Sequence, residues 1–400
     1  MSAADPTASP PGRPGRRATA LAGFTTIVAV LPVFLAGGLA IQLEAELGAG
    51  TAILGAAVAV YWGVSALLSA LGGYLAQRLA PRSGMLLSVA IGLVALLGLA
   101  YGTPHWAWLF VWLAIGGAAN ALAHPVSNGF IVDQVAVQRR AFAFGLKQAA
   151  IPAATLTAGL SVPILALTVG WQWAYVGAAA GAVLLVVALA LMVPHKSRSA
   201  APETRTHRVG ARLPRQLRTF LLATAMVSGM GSAAGNTLGA FTVSTAVDSG
   251  FAPGGAGLLL GLGSLAGCLV RPLVGLAADK GLGGSMTTVA LMLATGAAGM
   301  LAMATGEPTA FAAGCVLAFG FGWGWNGLMH YVIAHRSHPY AAQATGISQS
   351  GTYIGSTVGP FAFGFIFTSL GSTNGWILAA VIASLGAVGA LFASRLEKQL

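Results

Sequence analysis

The chain is built from long apolar runs separated by short polar segments. A run of about 20 apolar residues is long enough to cross the hydrocarbon core of a bilayer. Only 7% of the 400 residues are Asp, Glu, Lys or Arg, whereas a typical soluble domain has about 25%. So few charges cannot cover a water-facing surface. We therefore predict an all-α integral membrane protein.

The apolar runs predict twelve transmembrane spans, six in each half of the chain. Arg13, Arg16 and Arg17 precede the first run and give it some likeness to a signal peptide, but the run is long enough to span, so we interpret it as a retained helix. The predicted spans are residues 21–41, 52–73, 84–102, 107–131, 141–168, 173–193, 219–247, 254–277, 286–304, 309–334, 342–369 and 374–393.

The polar segments divide the chain into two bundles. Residues 1–18 are rich in Pro, Ala, Ser and Arg and cannot bury a core, so we expect a disordered cytoplasmic tail. Residues 19–194 then form an N-terminal six-helix bundle, residues 195–217 a basic cytoplasmic linker, and residues 218–400 a C-terminal six-helix bundle.

An internal repeat supports this division. The spacing of Gly275 to Lys280 recurs in weaker form from Gly73 to Arg78, at an offset of 202 positions. A second match, at an offset of 201, relates residues 145–148 to residues 346–349. An offset of half the chain predicts two similar halves.

Basic residues indicate the orientation. Twelve spans place both termini on one side, and all 20 Lys and Arg residues fall on that side. The loops on the other side carry Glu44, Glu46, Asp248 and Glu307 and no base. Short cytoplasmic loops collect Lys and Arg. We therefore expect a multi-pass protein of the inner cell membrane with both termini cytoplasmic, and we attribute the net charge of +11 to anionic lipid and not to nucleic acid.

Two cations interrupt the repeat. Arg271 corresponds to Ser69, and Lys147 corresponds to Ser348. Each cation lies about 10 Å along its helix from the cytoplasmic boundary, and the span cores contain no Asp or Glu to neutralise it. A charge at this depth normally faces a wet cavity or a partner. We predict that Arg271 and Lys147 bind an anionic substrate. The alternative is that both side chains snorkel to the interface.

Polar residues form one stripe on the fourth span and another on the tenth. The stripes are Asn120, His124 and Asn128, and Trp323, Asn326 and His330. Their spacing puts each set on one helical face. Contact with a substrate and hydrogen bonding between helices explain the stripes equally well, and Trp323 could equally pack against other aromatic rings. Glycines at four-residue spacing, such as Gly351, Gly355 and Gly359, predict close helix packing, with or without sliding.

The twelve spans, the repeated halves, the basic linker and the Gly-x-x-x-Asp-Lys loop after the eighth span together resemble the major facilitator superfamily. This resemblance implies two bundles that rock about a central site lined by the first, fourth, seventh and tenth spans, which adds Asn236 to the candidates. It also implies a gating brace on the cytoplasmic side. The brace residues would be Gly73, Arg78, Gly275, Asp279 and Lys280, although Gln77 replaces the first Asp of the family motif.

Local motifs resemble two subgroups of the superfamily. Arg271 and Pro272, four residues before Gly275, are similar to monocarboxylate and oxalate carriers. Lys147 and Gln148 are similar to bacterial permeases grouped with cyanate carriers.

These observations predict a secondary transporter, most simply a monomer, that moves a small organic anion such as a monocarboxylate by alternating access. Coupling to protons, carried by His124 or His330 or by the anion itself, is the expected energy source, because no nucleotide-binding loop is present. We expect no cofactor or metal. One alternative is a proton-driven multidrug exporter of the same fold, which predicts an acidic residue in the membrane. A membrane-embedded enzyme or a non-transport scaffold is the other alternative. An enzyme would need a metal cluster or an activated nucleophile.

Overall fold

The computed structural model describes residues 13–136, 140–194, 213–337 and 340–400. Within these residues the secondary structure is helical, without strands, and follows the twelve predicted spans. The spans are Arg13–Gly38 with Ala40–Leu47 (span 1), Thr51–Arg78 (span 2), Pro81–Tyr101 (span 3), Ala107–Gln134 (span 4), Arg140–Gln148 with Ala150–Ser161 and Val162–Ala166 (span 5), Gln172–Met192 (span 6), Arg215–Asp248 (span 7), Pro253–Asp279 (span 8), Met286–Ala304 (span 9), Pro308–Leu317 with Ala318–Gly322 and Asn326–Arg336 (span 10), Ala341–Leu370 (span 11) and Ser372–Glu397 (span 12).

Ten of the described spans are long and apolar enough to cross a membrane, with span 5 counted across its breaks. The other two are span 7, which carries Ser, Thr and Asn along its length, and span 10, whose helical segments are each too short to cross a bilayer alone. Both are among the spans expected to line a central path. The polar residues of span 7 therefore fit a helix that is covered by protein and not by lipid.

The helices extend beyond the apolar runs that predicted them. Span 1 begins at Arg13, so residues 13–18, which were predicted to belong to a disordered tail, are helical. The polar ends of a transmembrane helix can continue in helical form through the headgroup region, where water satisfies the backbone. The other predicted tail residues, 1–12, and the linker residues 195–212 lie outside the described part of the chain.

Spans 5 and 10 are interrupted at points that the sequence explains. In span 5 the first helix ends at Gln148, four residues before Pro152. Proline has no backbone N–H, so it cannot bond the carbonyl four residues earlier. In span 10 the helical hydrogen bonding stops between Trp323 and Trp325, after a glycine-rich stretch. Each break leaves backbone carbonyl groups available for other partners.

Glycines bring the two bundles together on one side of the membrane. Gly37 of span 1 packs on the backbone of Gly239, and Gly159 of span 5 packs on that of Gly257. A Cβ atom at Gly55 of span 2 would lie 2.6 Å from the carbonyl oxygen of Pro360. All of these contacts lie in the halves of the spans that are remote from the linker. The bundles are therefore closed against each other on that side.

On the side where span 6 ends at Met192 and span 7 begins at Arg215, here called the linker side, the same kind of contact is missing from three glycines. A Cβ atom at Gly73 of span 2, at Gly275 of span 8 or at Gly346 of span 11 would meet nothing within 4 Å. Spans 5 and 8 stay in contact as far as Gln148 and Arg271. The close glycine contacts between the bundles thus lie on the side away from the linker.

Candidate functional site

Arg271 of span 8 lies at the boundary between the two bundles. Its guanidinium donates a hydrogen bond of 2.7 Å from Nη1 to the carbonyl of Gln148 in span 5 and one of 2.9 Å from Nη2 to the carbonyl of Trp323 in span 10. The side chain is 8% exposed, and its Nε is buried without a hydrogen-bond partner. Arg271 therefore links the N-terminal bundle to the C-terminal bundle, while its Nε–H donor stays unused.

The acceptors of Arg271 are the carbonyl groups that the two helix breaks release. The Gln148 carbonyl has no helical partner because the residue four positions later is Pro152. The Trp323 carbonyl lies where span 10 loses its helical hydrogen bonds. Both acceptors are neutral, so the positive charge of Arg271 is solvated by dipoles and is not cancelled.

Lys147 of span 5 is turned towards span 4. Its side chain is 1% exposed, and Nζ donates a hydrogen bond of 2.6 Å to Oδ1 of Asn128. The same Nζ lies 3.3 Å from Nδ1 of His124. If Lys147 is charged, His124 must accept through Nδ1 and carry its proton on Nε2, because an ammonium group only donates. The predicted polar stripe on span 4 thus meets a predicted cation.

His330 of span 10 faces this cluster from the C-terminal bundle. It is close enough to Lys147 and to His124 for their charges to interact. Its Nδ1 lies 2.8 Å from the carbonyl oxygen of Asn326, to which it can donate a hydrogen bond. The side chain of Gln349 in span 11 hydrogen-bonds both His330 and Tyr353. Spans 4, 5, 10 and 11 therefore contribute to one polar cluster.

Two of the predicted amides make contacts within their own bundles. Asn120 donates a hydrogen bond of 3.1 Å to the hydroxyl of Ser65 in span 2, and Asn236 donates one of 2.9 Å to the hydroxyl of Ser356 in span 11. These bonds favour the interpretation of both residues as ties between helices. The Oδ1 atoms of Asn120, Asn236 and Asn326 are nevertheless buried without a hydrogen-bond partner. Each of the three amides therefore retains one unused acceptor.

Aromatic rings close the space beside Arg271. The ring of Trp323 packs edge-on against Phe34 of span 1, with centroids 5.6 Å apart, and Phe34 packs against Trp62 of span 2 at 6.4 Å. The guanidinium carbon of Arg271 lies 5.8 Å from the centroid of the Trp323 ring. Trp323 thus packs against aromatic rings, which was one of its two predicted roles. It also borders the buried cation Arg271, so a role beside the substrate stays a prediction.

The predicted gating residues lie on the linker side of the molecule. Gly73 and Gly275 have open space around them, and Lys280 is exposed. The guanidinium of Arg78 lies 5.0 Å above the ring of Tyr74 in its own helix. The side chain of Asp279 lies outside the described residues. A brace on this side stays a prediction.

The sequence did not single out Phe34, Trp62, Gln349 or Tyr353 as site residues. The two aromatic residues of spans 1 and 2 had no distinguishing pattern in apolar runs. Gln349 did carry a signal, because it corresponds to Gln148 in the repeat. Both glutamines lie near the site, although Gln148 contributes its backbone carbonyl and Gln349 its side chain.

The positive charges at this site have no acidic partner in the described part of the chain. The salt bridge found there, between Arg336 and Glu397, lies at the linker end of spans 10 and 12. Within the same residues no group of His, Cys, Asp and Glu side chains could hold a metal ion. The chemistry that the site offers is hydrogen-bond donation to a negative group between two helical bundles.

A polar site enclosed between two bundles of membrane-spanning helices defines a membrane transporter. Comparison with protein families sharpens this class. The family model of the Major Facilitator Superfamily matches residues 19–347, so the chain belongs to that superfamily. Membership confirms the predicted family and the assignment as a transporter and not an enzyme.

The chain also resembles two individual proteins, one of which is named as an MFS-type transporter. The chain is 26% identical over 368 residues to an uncharacterized 38 kDa protein in the 23S RNA operon of Thermoproteus tenax, with 90% of this chain and 91% of that protein covered. It is 31% identical over 113 residues to the uncharacterized MFS-type transporter YqjV of Bacillus subtilis (strain 168), which covers 28% of this chain and 27% of that protein.

Solved structures share the fold at low identity. A D-xylose-proton symporter superposes with a TM-score of 0.77 at 16% identity, covering 94% of this chain and 97% of that chain. A bacterial homolog of the human lysosomal transporter Spinster, in an inward-facing and unoccupied conformation, gives a TM-score of 0.76 at 14% identity, covering 97% and 98%. These likenesses confirm the predicted twelve-helix, two-bundle fold.

Proposed function

We propose that the protein moves a small organic anion across the membrane by alternating access, with Arg271 and Lys147 as the residues that bind the anion. One observation carries this proposal. Each half of the chain contributes one buried cation, and Arg271 bonds the carbonyl of the residue that follows Lys147. No described acidic side chain pairs with either cation.

The burial of the two cations favours an anion site over snorkelling. A snorkelling side chain reaches the water or the lipid headgroups, whereas Arg271 is 8% exposed and Lys147 only 1%. An uncompensated cation inside a membrane protein is costly, by roughly 2.5 to 3.5 kcal/mol on insertion scales. A substrate carboxylate would offset that cost in the loaded state. The multidrug-exporter alternative requires an acid within the span cores, and the sequence has none there.

Proton coupling is the second part of the proposal, and the contact between Lys147 and His124 supports it. The nitrogens of Lys147 and His124 are 3.3 Å apart. Full positive charges on both groups would repel strongly at this distance, so the site without an anion favours at most one of them being charged. An entering anion would favour protonation of both groups and so draw a proton into the site. His330 in the facing bundle is the other candidate carrier.

The orientation of the protein follows from its charges and is also proposed. The described linker-side ends of the spans carry Arg78, Arg82, Arg215, Lys280 and Arg395, which supports a cytoplasmic location of that side in an inner-membrane protein. A single chain contains both bundles and the site, so the transport unit would be a monomer. Cysteines at His105 and Lys398, in a chain without its native cysteines, should label from opposite sides of the membrane. Labelling from one side would overturn this orientation.

Binding measurements test the substrate class. The purified protein should be stabilised against heat by at least one small carboxylate and not by cationic drugs. Arg271→Lys keeps the charge but loses the planar fork that matches a carboxylate, and Lys147→Gln removes the second charge. Each change should weaken binding roughly ten- to a hundredfold, as expected when a charged hydrogen bond worth about 1.5 to 3 kcal/mol is lost.

Lys398→Gln is the matched control, because it removes one exposed positive charge far from the site. It should bind the anion like the parent. If well-folded Arg271→Lys and Lys147→Gln proteins also bind like the parent, the two cations do not contact the substrate and the organic-anion proposal is wrong.

A further inference from the structure

A groove runs along the outer surface of the N-terminal bundle, where span 6 diverges from spans 1 and 5. Its volume is about 800 Å³, and it is lined by apolar residues apart from Arg17, Thr157 and Ser161. It extends along span 1 from Arg17 on the linker side to Leu35. Eighteen residues of helix correspond to about 27 Å, which is close to the hydrocarbon thickness of about 30 Å.

The groove exists because small residues of span 6 are left uncovered. Gly177 and Gly181 line it, and a Cβ atom at either position would meet nothing within 4 Å. By contrast, Gly37, Gly55 and Gly159 are all crowded by neighbouring backbone. Gly177 and Gly181 therefore do not serve helix packing and instead create free volume on the side that faces the membrane.

The C-terminal half shows that the fold itself does not require this groove. In span 12, the counterpart of span 6 in the C-terminal half, Ala379 and Ala383 are 3% and 0% exposed. Further along span 12, a Cβ atom at Gly386 would lie 3.3 Å from the side chain of Met230 in span 7. Span 12 is thus packed against its bundle at these positions.

The position and charge of the groove identify its occupant. An apolar channel that is open to the bilayer and about as long as the bilayer is thick suits an acyl chain. Among the described residues that line the groove, Arg17 is the charged one, it is exposed at the linker-side end, and none is acidic. Basic residues at the membrane surface attract anionic lipid headgroups.

We propose that this groove binds one acyl chain of an anionic phospholipid from the linker-side leaflet, with the lipid phosphate on Arg17. The lipid would fill the space between span 6 and the rest of its bundle. The site is separate from the anion site between the bundles, and the proposal does not depend on which solute the protein transports.

Native mass spectrometry of the full chain in detergent tests the lipid site. The probes are a phosphatidylglycerol and a phosphatidylcholine with identical acyl chains. The parent should retain one phosphatidylglycerol in preference to phosphatidylcholine. Gly181→Leu should retain either lipid at least about tenfold less, because each methylene displaced from the groove changes affinity about fourfold. The open space at Gly181 makes a folding defect in this variant unexpected.

Two further variants separate the chain-binding and headgroup-binding parts of the proposal. Arg17→Gln should lose the preference for phosphatidylglycerol, with a fall of about fivefold that corresponds to about 1 kcal/mol per basic residue at an anionic surface. Gly23→Leu is the matched control, since Gly23 is also in open space but does not line the groove. It should bind lipid like the parent.

Equal retention of the two lipids by the parent would overturn the proposed headgroup site. Undiminished lipid retention by both Gly181→Leu and Gly177→Leu would overturn the groove as the binding place. If size-exclusion chromatography shows that Gly181→Leu is misfolded, Gly177→Leu decides the outcome.

Discussion

Ser69 of the N-terminal half corresponds to Arg271 of the C-terminal half, and Ser348 of the C-terminal half corresponds to Lys147 of the N-terminal half. The serines make short contacts within their own bundles. The hydroxyl of Ser69 donates to a carbonyl of its own helix, and that of Ser348 lies 2.7 Å from the hydroxyl of Ser228. By contrast, Lys147 belongs to the polar cluster, and Arg271 hydrogen-bonds the other bundle at Gln148. The two halves thus share a scaffold, and each departs from the other where it contributes one positive charge.

The largest effect is expected when the C-terminal half is made like the N-terminal half at this position. Arg271→Ser removes the guanidinium together with its hydrogen bond to Gln148 across the bundle boundary and its hydrogen bond to Trp323 within the C-terminal bundle. Uptake of the best anion into proteoliposomes should fall by about a hundredfold or more, since each charged hydrogen bond is worth about 1.5 to 3 kcal/mol. Lys147→Ser should have the same direction of effect. Ser69→Ala is the control and should transport normally; normal transport by Arg271→Ser would remove Arg271 from the transport mechanism.

An effect of intermediate size is expected when two glycines of span 2, which lie towards opposite sides of the membrane, are each replaced by alanine. Gly55→Ala places a methyl group against the carbonyl oxygen of Pro360 and should lower the free energy of unfolding by about 1 to 3 kcal/mol, as overpacking does. Gly73→Ala has open space and should leave this free energy unchanged or raise it by up to about 1 kcal/mol. Thermal unfolding of both variants gives the comparison. Equal losses of stability would contradict the closure that we describe on the side away from the linker.

The smallest effect concerns a helix cap that only one of two corresponding spans has. Span 10 begins after Glu307, whose carboxylate accepts hydrogen bonds from the hydroxyl and the backbone N–H of Thr309 and from the N–H of Ala310. Span 4, its counterpart, begins without a side-chain cap. Hydrogen bonds from Thr309 and Ala310 lower the pKa of Glu307 from its usual value. The stability that this cap provides is therefore present above the usual pKa of a Glu and is lost as the pH falls through the lowered value.

The measurement for this cap is the melting temperature as a function of pH. Glu307→Ala should lower the melting temperature slightly at pH 7, and the difference from the parent should disappear in acid. The effect should be small because Glu307 is fully exposed to solvent. A pH-independent difference would mean that the ionised carboxylate is not what stabilises the start of span 10.

The sequence was sufficient for the spans, because the length of an apolar run is a direct physical requirement for crossing the bilayer. It also located Arg271 and Lys147, since a repeat makes departures visible. It could not assign partners. The spacing of Asn120, His124 and Asn128 predicted one helical face, but residues four apart on a helix are displaced by about 40°. Asn120 therefore reaches span 2, whereas the other two contact Lys147 of span 5.

The partner of Arg271 was likewise beyond prediction, although one half of the contact was visible. Pro152 guarantees that the carbonyl of Gln148 lacks its helical donor. That this carbonyl meets an arginine more than a hundred positions away depends on how the bundles dock, which no local pattern encodes. The same holds for Phe34, which an apolar run conceals until Trp323 is placed beside it.

The carbonyls that hold Arg271 belong to different bundles, and this has a thermodynamic consequence. The guanidinium's hydrogen bond to Gln148 is part of what keeps spans 5 and 8 together. A ligand that takes Nη1 from Gln148 weakens the contact between the bundles, so the ligand and the docked arrangement compete for one donor. Ligand binding and the contact to Gln148 therefore oppose each other through one coupling free energy. Breaking the contact should raise the affinity for the ligand by the same free energy by which the bound ligand weakens the contact. Binding of a ligand to Arg271 would thus make it easier for one bundle to move against the other.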